Sequence, residues 1–409
     1  MIASTRTLVC LVLLCGRCFA GDDFFPITSW EQPYEKQQQM GDPRMGPAGL
    51  GDCGFTVAGF VTADQVPLCE KAKMRALVAL PGPFVKWKEL SDEQIAATVS
   101  KLVAGTEKSD AVIGYFLADE PGASDFSALA KAVAAVKKHA PGKLAYINLF
   151  PDYGTLGAPG LSQLETQTYS DYLERYVAEV KPQFISYDNY IVQYSQDQRD
   201  PAAAAGYYRN LLGVRRVALK HDLPFWNIVA SNQQKPEMPI PSPANLSLQA
   251  YTTLAAGGRG LTWYTYYAGG YHYAAVDKAG NRTATWCYLK MVNEQVKVLG
   301  PVMNRLKSTG VYFTAPLPDP SLPALPGKVI ETATSSTPVM VGEFAAADGT
   351  PHVMLVNLSL ERSSLIRLKT RKPYQGILAA SPADGSFAPL AEKDSIWLPA
   401  GQGALLRFE

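Results

Sequence analysis

The run A-V-I-G-Y-F-L-A-D-E-P (111–121), followed by D-F-S-A-L-A-K-A-V-A-A-V-K-K-H (125–139) and K-L-A-Y-I-N-L-F (143–150), decides the fold. The first and third pieces are short, apolar and rich in β-branched and aromatic residues, which predicts buried strands. The middle piece carries its apolar residues at helical spacing. Lys137, Lys138 and His139 close its last turn, and Pro141-Gly142 stops it. Strand, helix and strand in so short a span form a βαβ unit, which implies a parallel sheet covered by helices.

The same alternation extends in both directions. Strands are predicted at 24–30, 54–61 and 74–80 before this unit, and at 184–190, 224–230 and 260–267 after it. Helical patterns fill 168–180, 206–221 and 285–306. Eight such repeats predict an α/β fold, a closed (β/α)8 TIM barrel. A doubly wound open sheet would carry a Gly-rich turn after its first strand, and none is present. From Lys307 onward prolines are frequent and long helical patterns stop. Short apolar runs at 338–344 and 352–358 are separated by turn signals such as Asp348-Gly349 and Asp384-Gly385. This predicts a C-terminal β-sandwich joined through an extended stretch from Pro316 to Pro326. The expected division is 1–20 signal peptide, 21–306 barrel and 307–409 sandwich.

The signal reading rests on Arg6, the apolar run Leu8 to Leu14, and Cys18-Phe19-Ala20 before a cut at Gly21. It implies a secreted or periplasmic protein. The apolar run is shorter than the ~20 residues of a membrane span. Cys53, Cys69 and Cys287 lie outside it; Cys53 and Cys69 could pair, but three cysteines make no disulfide framework. Neither clustered His nor a CxxC pattern supports a metal site, and no cofactor is implied. Apolar residues make up 47% and charged residues 18%, enough for a sizeable core, and the net charge is +1. So balanced a chain has no general field for nucleic acid or anionic lipid. Oligomeric state stays open.

In a barrel of this kind, chemistry is expected just beyond the strands' C-terminal ends. Those positions hold Trp30 and Glu31, Asp64, Asp119 and Glu120, Asn148 and Asp152, and Asp188, Asn189 and Tyr190. They continue with Ser231 and Asn232, then Trp263, Tyr264, Tyr266 and Tyr267, with His272 beyond. Carboxylates, amides and aromatics dominate. A sugar offers C–H faces to aromatic rings and hydroxyls to polar groups. Glycosidic cleavage needs one carboxylic acid and one carboxylate. A carbohydrate partner fits this inventory, whereas phosphoryl transfer would require a phosphate-cradling loop that is missing.

The run G-Y-F-L-A-D-E-P (114–121) resembles the fourth-strand acid/base segment of clan-A glycoside hydrolases, with Asp119 where many of them carry Asn. F-I-S-Y-D-N-Y (184–190) and P-F-W-N-I-V-A-S (224–231) are similar to the sixth- and seventh-strand segments of family 42 β-galactosidases and their relatives. So are Gln249-Ala250, Gly257-Gly258 leading into L-T-W-Y-T-Y-Y, and the closing helix at 288–301. The resemblance covers roughly residues 24–305.

It implies that Glu120 is the acid/base. It also implies a Glu nucleophile at the seventh strand's end, yet Val229 to Gln234 contains no acid. Asp188 is then the expected base or nucleophile, with an inverting reaction favoured and carboxyl groups about 6.5–9.5 Å apart. Substrate contacts are expected from Trp30, Glu31, Asp119, Asn148, Tyr190, Asn232, Trp263 and Tyr266, with Trp263 as a sugar platform. The alternatives are a catalytically silent carbohydrate-binding barrel and a transglycosidase.

Overall fold

The computed structural model describes residues 23–30, 42–190, 201–236 and 238–409. The segment read as a signal peptide, and Glu31, lie outside the described residues. Eight parallel strands close into a barrel in chain order. They are β1 (Ile27–Trp30), β2 (Val57–Val61), β3 (Arg75–Val78), β4 (Val112–Asp119), β5 (Leu144–Leu149), β6 (Ile185–Asp188), β7 (Phe225–Ala230) and β8 (Gly260–Tyr264). The connecting helices are α1 (Pro47–Asp52), α2 (Val66–Lys71), α3 (Asp92–Val103), α4 (Phe126–His139), α5 (Tyr169–Val180), α6 (Pro201–Lys220) and α7 (Pro243–Ala255). A long α8 (Ala284–Asn304) follows β8.

Side chains alternate across each strand and so divide into two cores. Inside the barrel, Trp30, Phe60, Phe116, Tyr146, Phe184 and Trp226 fill the lumen with aromatic rings. Ring contacts run edge to face, as between Trp30 and Phe60, whose centroids lie 4.8 Å apart. The barrel is therefore plugged below its mouth. Outside it, Tyr115, Val229, Leu261 and Trp263 pack against the helical ring.

After α8 the chain enters β9 (Lys307–Phe313), β10 (Ile330–Thr334), β11 (Val339–Ala345), β12 (Pro351–Asn357) and β13 (Ser364–Thr370). It finishes with β14 (Ile377–Ala380), β15 (Phe387–Pro389), β16 (Ser395–Leu398) and β17 (Gly403–Phe408). These build a six-stranded sheet, β15-β14-β17-β12-β11-β9, facing a three-stranded sheet, β10-β13-β16. Val341, Val353, Leu355, Ile366 and Leu406 form the core between them. Buried Glu343 anchors the chain entering β10, because its carboxylate accepts the backbone N–H groups of Lys328, Val329 and Ile330 at 2.7–2.8 Å.

Helix α7 has no counterpart among the helical patterns read from the sequence. Ser242 caps it, its hydroxyl accepting from Asn245 N at 3.1 Å, and Pro243 opens it. Every residue from Asn245 to Ala255 is buried. A helix covered on both sides has no polar stripe, and so loses the amphipathic signature by which helices are recognised. One side of α7 meets the barrel. The other meets the outer face of the six-stranded sheet, where Met340, Phe344, Met354 and Leu405 share a cluster with Tyr251 and Leu254.

Cys53 and Cys69 are buried thiols with no disulfide between them, so the pairing envisaged from sequence is not formed. Burial holds the Cys53 thiol well above its ordinary pKa. Among the described residues no helix is long and apolar enough to cross a membrane.

The contact between α7 and the sheet depends on Gly342 in β11, where a Cβ would stand 2.1 Å from the Ala255 carbonyl oxygen. Gly342→Ala must push helix and sheet apart. It is expected to lower the unfolding free energy in urea by about 1–3 kcal/mol, the usual cost of overpacking, and an unchanged midpoint would contradict this packing.

Candidate active site

Strand pairing brings the polar residues of the barrel mouth together. Asp119, the last residue of β4, pairs with Asn148 on β5, and Asn148 pairs with Ser186 on β6. Asp188 ends β6 two residues beyond Ser186, on the same face. The Asn148 amide nitrogen donates to Asp119 Oδ1 at 3.1 Å and to Asp188 Oδ1 at 2.9 Å. Its amide oxygen accepts from the Ser186 hydroxyl at 3.1 Å, and Ser186 contacts Tyr146 OH at 2.9 Å. With both hydrogens and its oxygen engaged, Asn148 has a fixed orientation. It also holds two carboxyl groups together.

Glu120 follows β4 directly. Its backbone N–H donates to Asn148 O at 2.9 Å, and its φ of 46° lies in the left-handed region. A side-chain-bearing residue there costs roughly 1 kcal/mol or more, and persists only when its surroundings hold it. The following turn supplies that hold. Tyr172 OH donates to Pro121 O at 2.7 Å, and the Glu165 carboxylate accepts Ser124 N and Gly160 N, both at 2.7 Å. Glu165 was not among the candidates from sequence. It stands in a long loop without periodic pattern, and only the fold reveals that it clamps the turn behind Glu120.

The Glu120 and Asp188 carboxyls lie within hydrogen-bond reach of each other. Burial pushes Asp119 up to about 6, with the Asn148 hydrogen bond opposing. Burial, and then the Asp119 charge, raises Glu120 to about 7, while contact with Asp188 works the other way. Asp188 is driven well above the carboxylate range by complete burial and by the charges of Glu120 and Asp119. Near neutrality Asp188 and part of Glu120 therefore retain protons, which a proton donor requires, while Asp119 is largely ionised.

Of the expected substrate contacts, the structure places Asp119, Asn148 and Tyr190 at this mouth. The Tyr190 ring packs on Tyr264 at 5.2 Å between centroids, and Tyr264 OH meets Tyr271 OH at 2.7 Å. Trp30, paired with Tyr264 across β1 and β8, is buried in the lumen as part of the aromatic plug. Asn232, beyond β7, is fully buried and donates to Thr265 Oγ1 at 3.1 Å.

Trp263 and Tyr266 depart from expectation. Both are wholly buried on the helical side. Trp263 Nε1 donates to Asn293 Oδ1 on α8 at 2.7 Å, and Tyr266 OH donates to Arg44 O at 2.8 Å. The cause is strand parity: with Thr262 inward, Trp263 must face outward, and Tyr264 takes the mouth position. Asp152 is a further acid near this rim, raised to about 6 by burial. Among the described residues no cluster of His, Cys, Asp and Glu could hold a metal ion.

No family model and no curated sequence matches the chain. Its fold is similar to that of a glycoside hydrolase family 42 β-galactosidase from G. stearothermophilus, solved as a catalytic mutant. The TM-score is 0.65 at 8% identity, over 94% of this chain and 98% of that one. A glycoside hydrolase family 5 structure from Bacteroides vulgatus is similar with a TM-score of 0.58 at 11% identity, covering 94% and 88%. The chain spans 63% of the length of a β-galactosidase from Marinomonas ef1, which covers 70% of this chain at 9% identity and a TM-score of 0.49. At such identities the likeness shows the fold, a barrel followed by a sandwich.

The raised carboxyl pKa values set a direction for stability. Folded Asp119 binds its proton up to about pH 6, whereas the unfolded residue releases it near 3.8. The folded state therefore holds more protons between these values, and stability falls as pH rises through that window. Asp119→Asn should remove roughly 2 kcal/mol of this fall once partial solvent contact is allowed for. Urea unfolding of both proteins at pH 4 and pH 7.5 measures it, and identical pH dependence would refute the assignment.

Proposed function

We propose that the chain is a glycoside hydrolase that cleaves O-glycosidic bonds of a carbohydrate, with Glu120 as general acid. The observation that carries this reading is the state of Glu120. It stands half-buried at the end of β4, in a clamped left-handed turn, with its carboxyl raised to about 7 by burial and by Asp119. A carboxylic acid near its pKa at neutrality can protonate a leaving oxygen and later accept a proton from water. Asp188 shares protons with Glu120 and sets its charge state. Tyr190, Tyr264 and Tyr271 offer ring faces and hydroxyls beside these carboxyls, which suits a sugar. Export through the predicted signal would place such an enzyme with extracellular or periplasmic glycans.

A second reading has one observation in its favour. Beyond β7, Ser231 donates to Thr265 O at 3.0 Å and Asn232 to Thr265 Oγ1 at 3.1 Å, and neither supplies a carboxylate. A barrel that binds glycans without cleaving them would tolerate that.

Hydrolysis of a glycan panel separates the readings. Glu120→Gln should lower kcat by about 10²–10⁴-fold, with the loss smallest for good leaving groups. Wild-type kcat/KM should fall as pH rises through about 7, where the acid loses its proton. Binding by both proteins without turnover by either would establish the silent glycan binder instead.

A further inference from the structure

The end of the barrel opposite the candidate active site carries an electrostatic imbalance. A cleft of about 460 Å³ lies there against the starts of β7 and β8, the C-terminal ends of α6 and α8, and the first residues of β9. Its wall includes Arg215, Arg259, Arg305 and Lys307 but a single acid, Asp222. The chain as a whole is nearly balanced, at +1, so the excess is local. Most of these cations are accounted for. Arg305 pairs with Asp23, and Lys307 is exposed to solvent. Arg259 donates to the carbonyl oxygens of Met303 and Leu306, at and just beyond the end of α8. A guanidinium there meets the negative end of the helix dipole.

Arg215 is different. It is half-buried on α6, and its Nη2 donates to the Ser308 hydroxyl of β9 at 2.9 Å. A guanidinium offers five N–H donors, and the protein engages this one. The Arg215 Nε is shut off from solvent with no hydrogen-bond partner. Among the described residues no carboxylate pairs with Arg215, and Asp222 is exposed and takes part in no ion pair. Burial holds the Arg215 guanidinium below its ordinary pKa, and brings Arg259 down to about 10, as expected of cations drawn from water. Such a charge is costly unless something neutralises it. A planar fork of unused N–H groups matches two oxygens of a tetrahedral oxyanion, and Lys307 adds a point charge on the same wall.

We propose that this cleft is an oxyanion site that takes a sulfate or phosphate group, held by Arg215 with Lys307 beside it. The site is independent of the hydrolase reading. Because Arg215 reaches from α6 to Ser308 on β9, an anion bound to it adds to the tie between barrel and sandwich. It acts on stability, the role usual for the bottom face of such barrels. The cleft has room for more than a bare ion, so the group can arrive free or carried on a sugar.

The test is calorimetry of the full chain with sodium sulfate, potassium phosphate or galactose 6-sulfate, against sodium chloride at matched ionic strength. One oxyanion per chain should bind. At roughly twentyfold excess over Kd it should raise Tm by about 1–3 °C, and chloride should not. Arg215→Met keeps an apolar stem and removes the charge. In chloride it should unfold at the wild-type temperature or higher, because an uncompensated charge is gone, and the sulfate effect should vanish. Lys307→Gln is a surface change that leaves the fold intact and should weaken sulfate by about 2–5-fold, so the site stays testable even if Arg215→Met does not fold. Tighter binding of galactose 6-sulfate than of sulfate, lost in Arg215→Met, would assign the group to a sugar carrier; equal binding assigns the free ion. An equal rise in chloride, or sulfate binding that survives in Arg215→Met, would overturn the proposal. So would a lowered Tm of Arg215→Met in chloride with no anion dependence in the wild type, which would leave Arg215 as a plain tie to Ser308.

Discussion

Closure of the parallel sheet is the constraint from which the site follows. β1 meets β8 over four consecutive residue pairs, from Ile27 with Leu261 to Trp30 with Tyr264, so every strand has a neighbour on both sides. A closed sheet fixes which residues face inward, and side-chain alternation then leaves no choice at the rim. Asp119, Asn148 and Asp188 come from three successive strands yet share one amide group. Each is where it is because its strand cannot slip by one residue without turning its whole apolar set inside out.

The same constraint explains the electrostatics. Three carboxyls would not gather unaided, since burial and mutual repulsion both disfavour their charged forms. The aromatic plug of Phe60, Phe116, Tyr146 and Trp226 keeps water out from below. Asn148 satisfies one oxygen of each aspartate. Burial accordingly appears as raised proton affinity in all three carboxyls instead of local unfolding.

Much of this was legible in the sequence. All eight strands, the sandwich, and the positions of Glu120 and Asp188 at strand ends follow from apolar periodicity and turn residues, because these report burial directly. Other features were hidden for physical reasons. Helix α7 gave no amphipathic signal because both its faces are covered. Trp263 looked like a sugar platform, but the strand ends at Tyr264 and parity sends the indole outward; a run of aromatics cannot be assigned to faces without its register. Glu165 lies far from Glu120 in sequence and is joined to its turn through its carboxylate, which accepts the Ser124 backbone N–H. The contact between Glu120 and Asp188 depends on side-chain reach, which spacing along the chain does not encode.

Helix α7 also ties the two parts of the chain together. Its outer side is apolar from Leu246 to Ala255 and is covered by β11, β12 and β17. Beneath this cover, Gly342 and Gly403 let the sheet approach closely. A barrel cut away at its last helix would expose that side to water. The sandwich is thus less an appendage than a second cover over the barrel's coat, and removing it would leave the outer side of α7 to water.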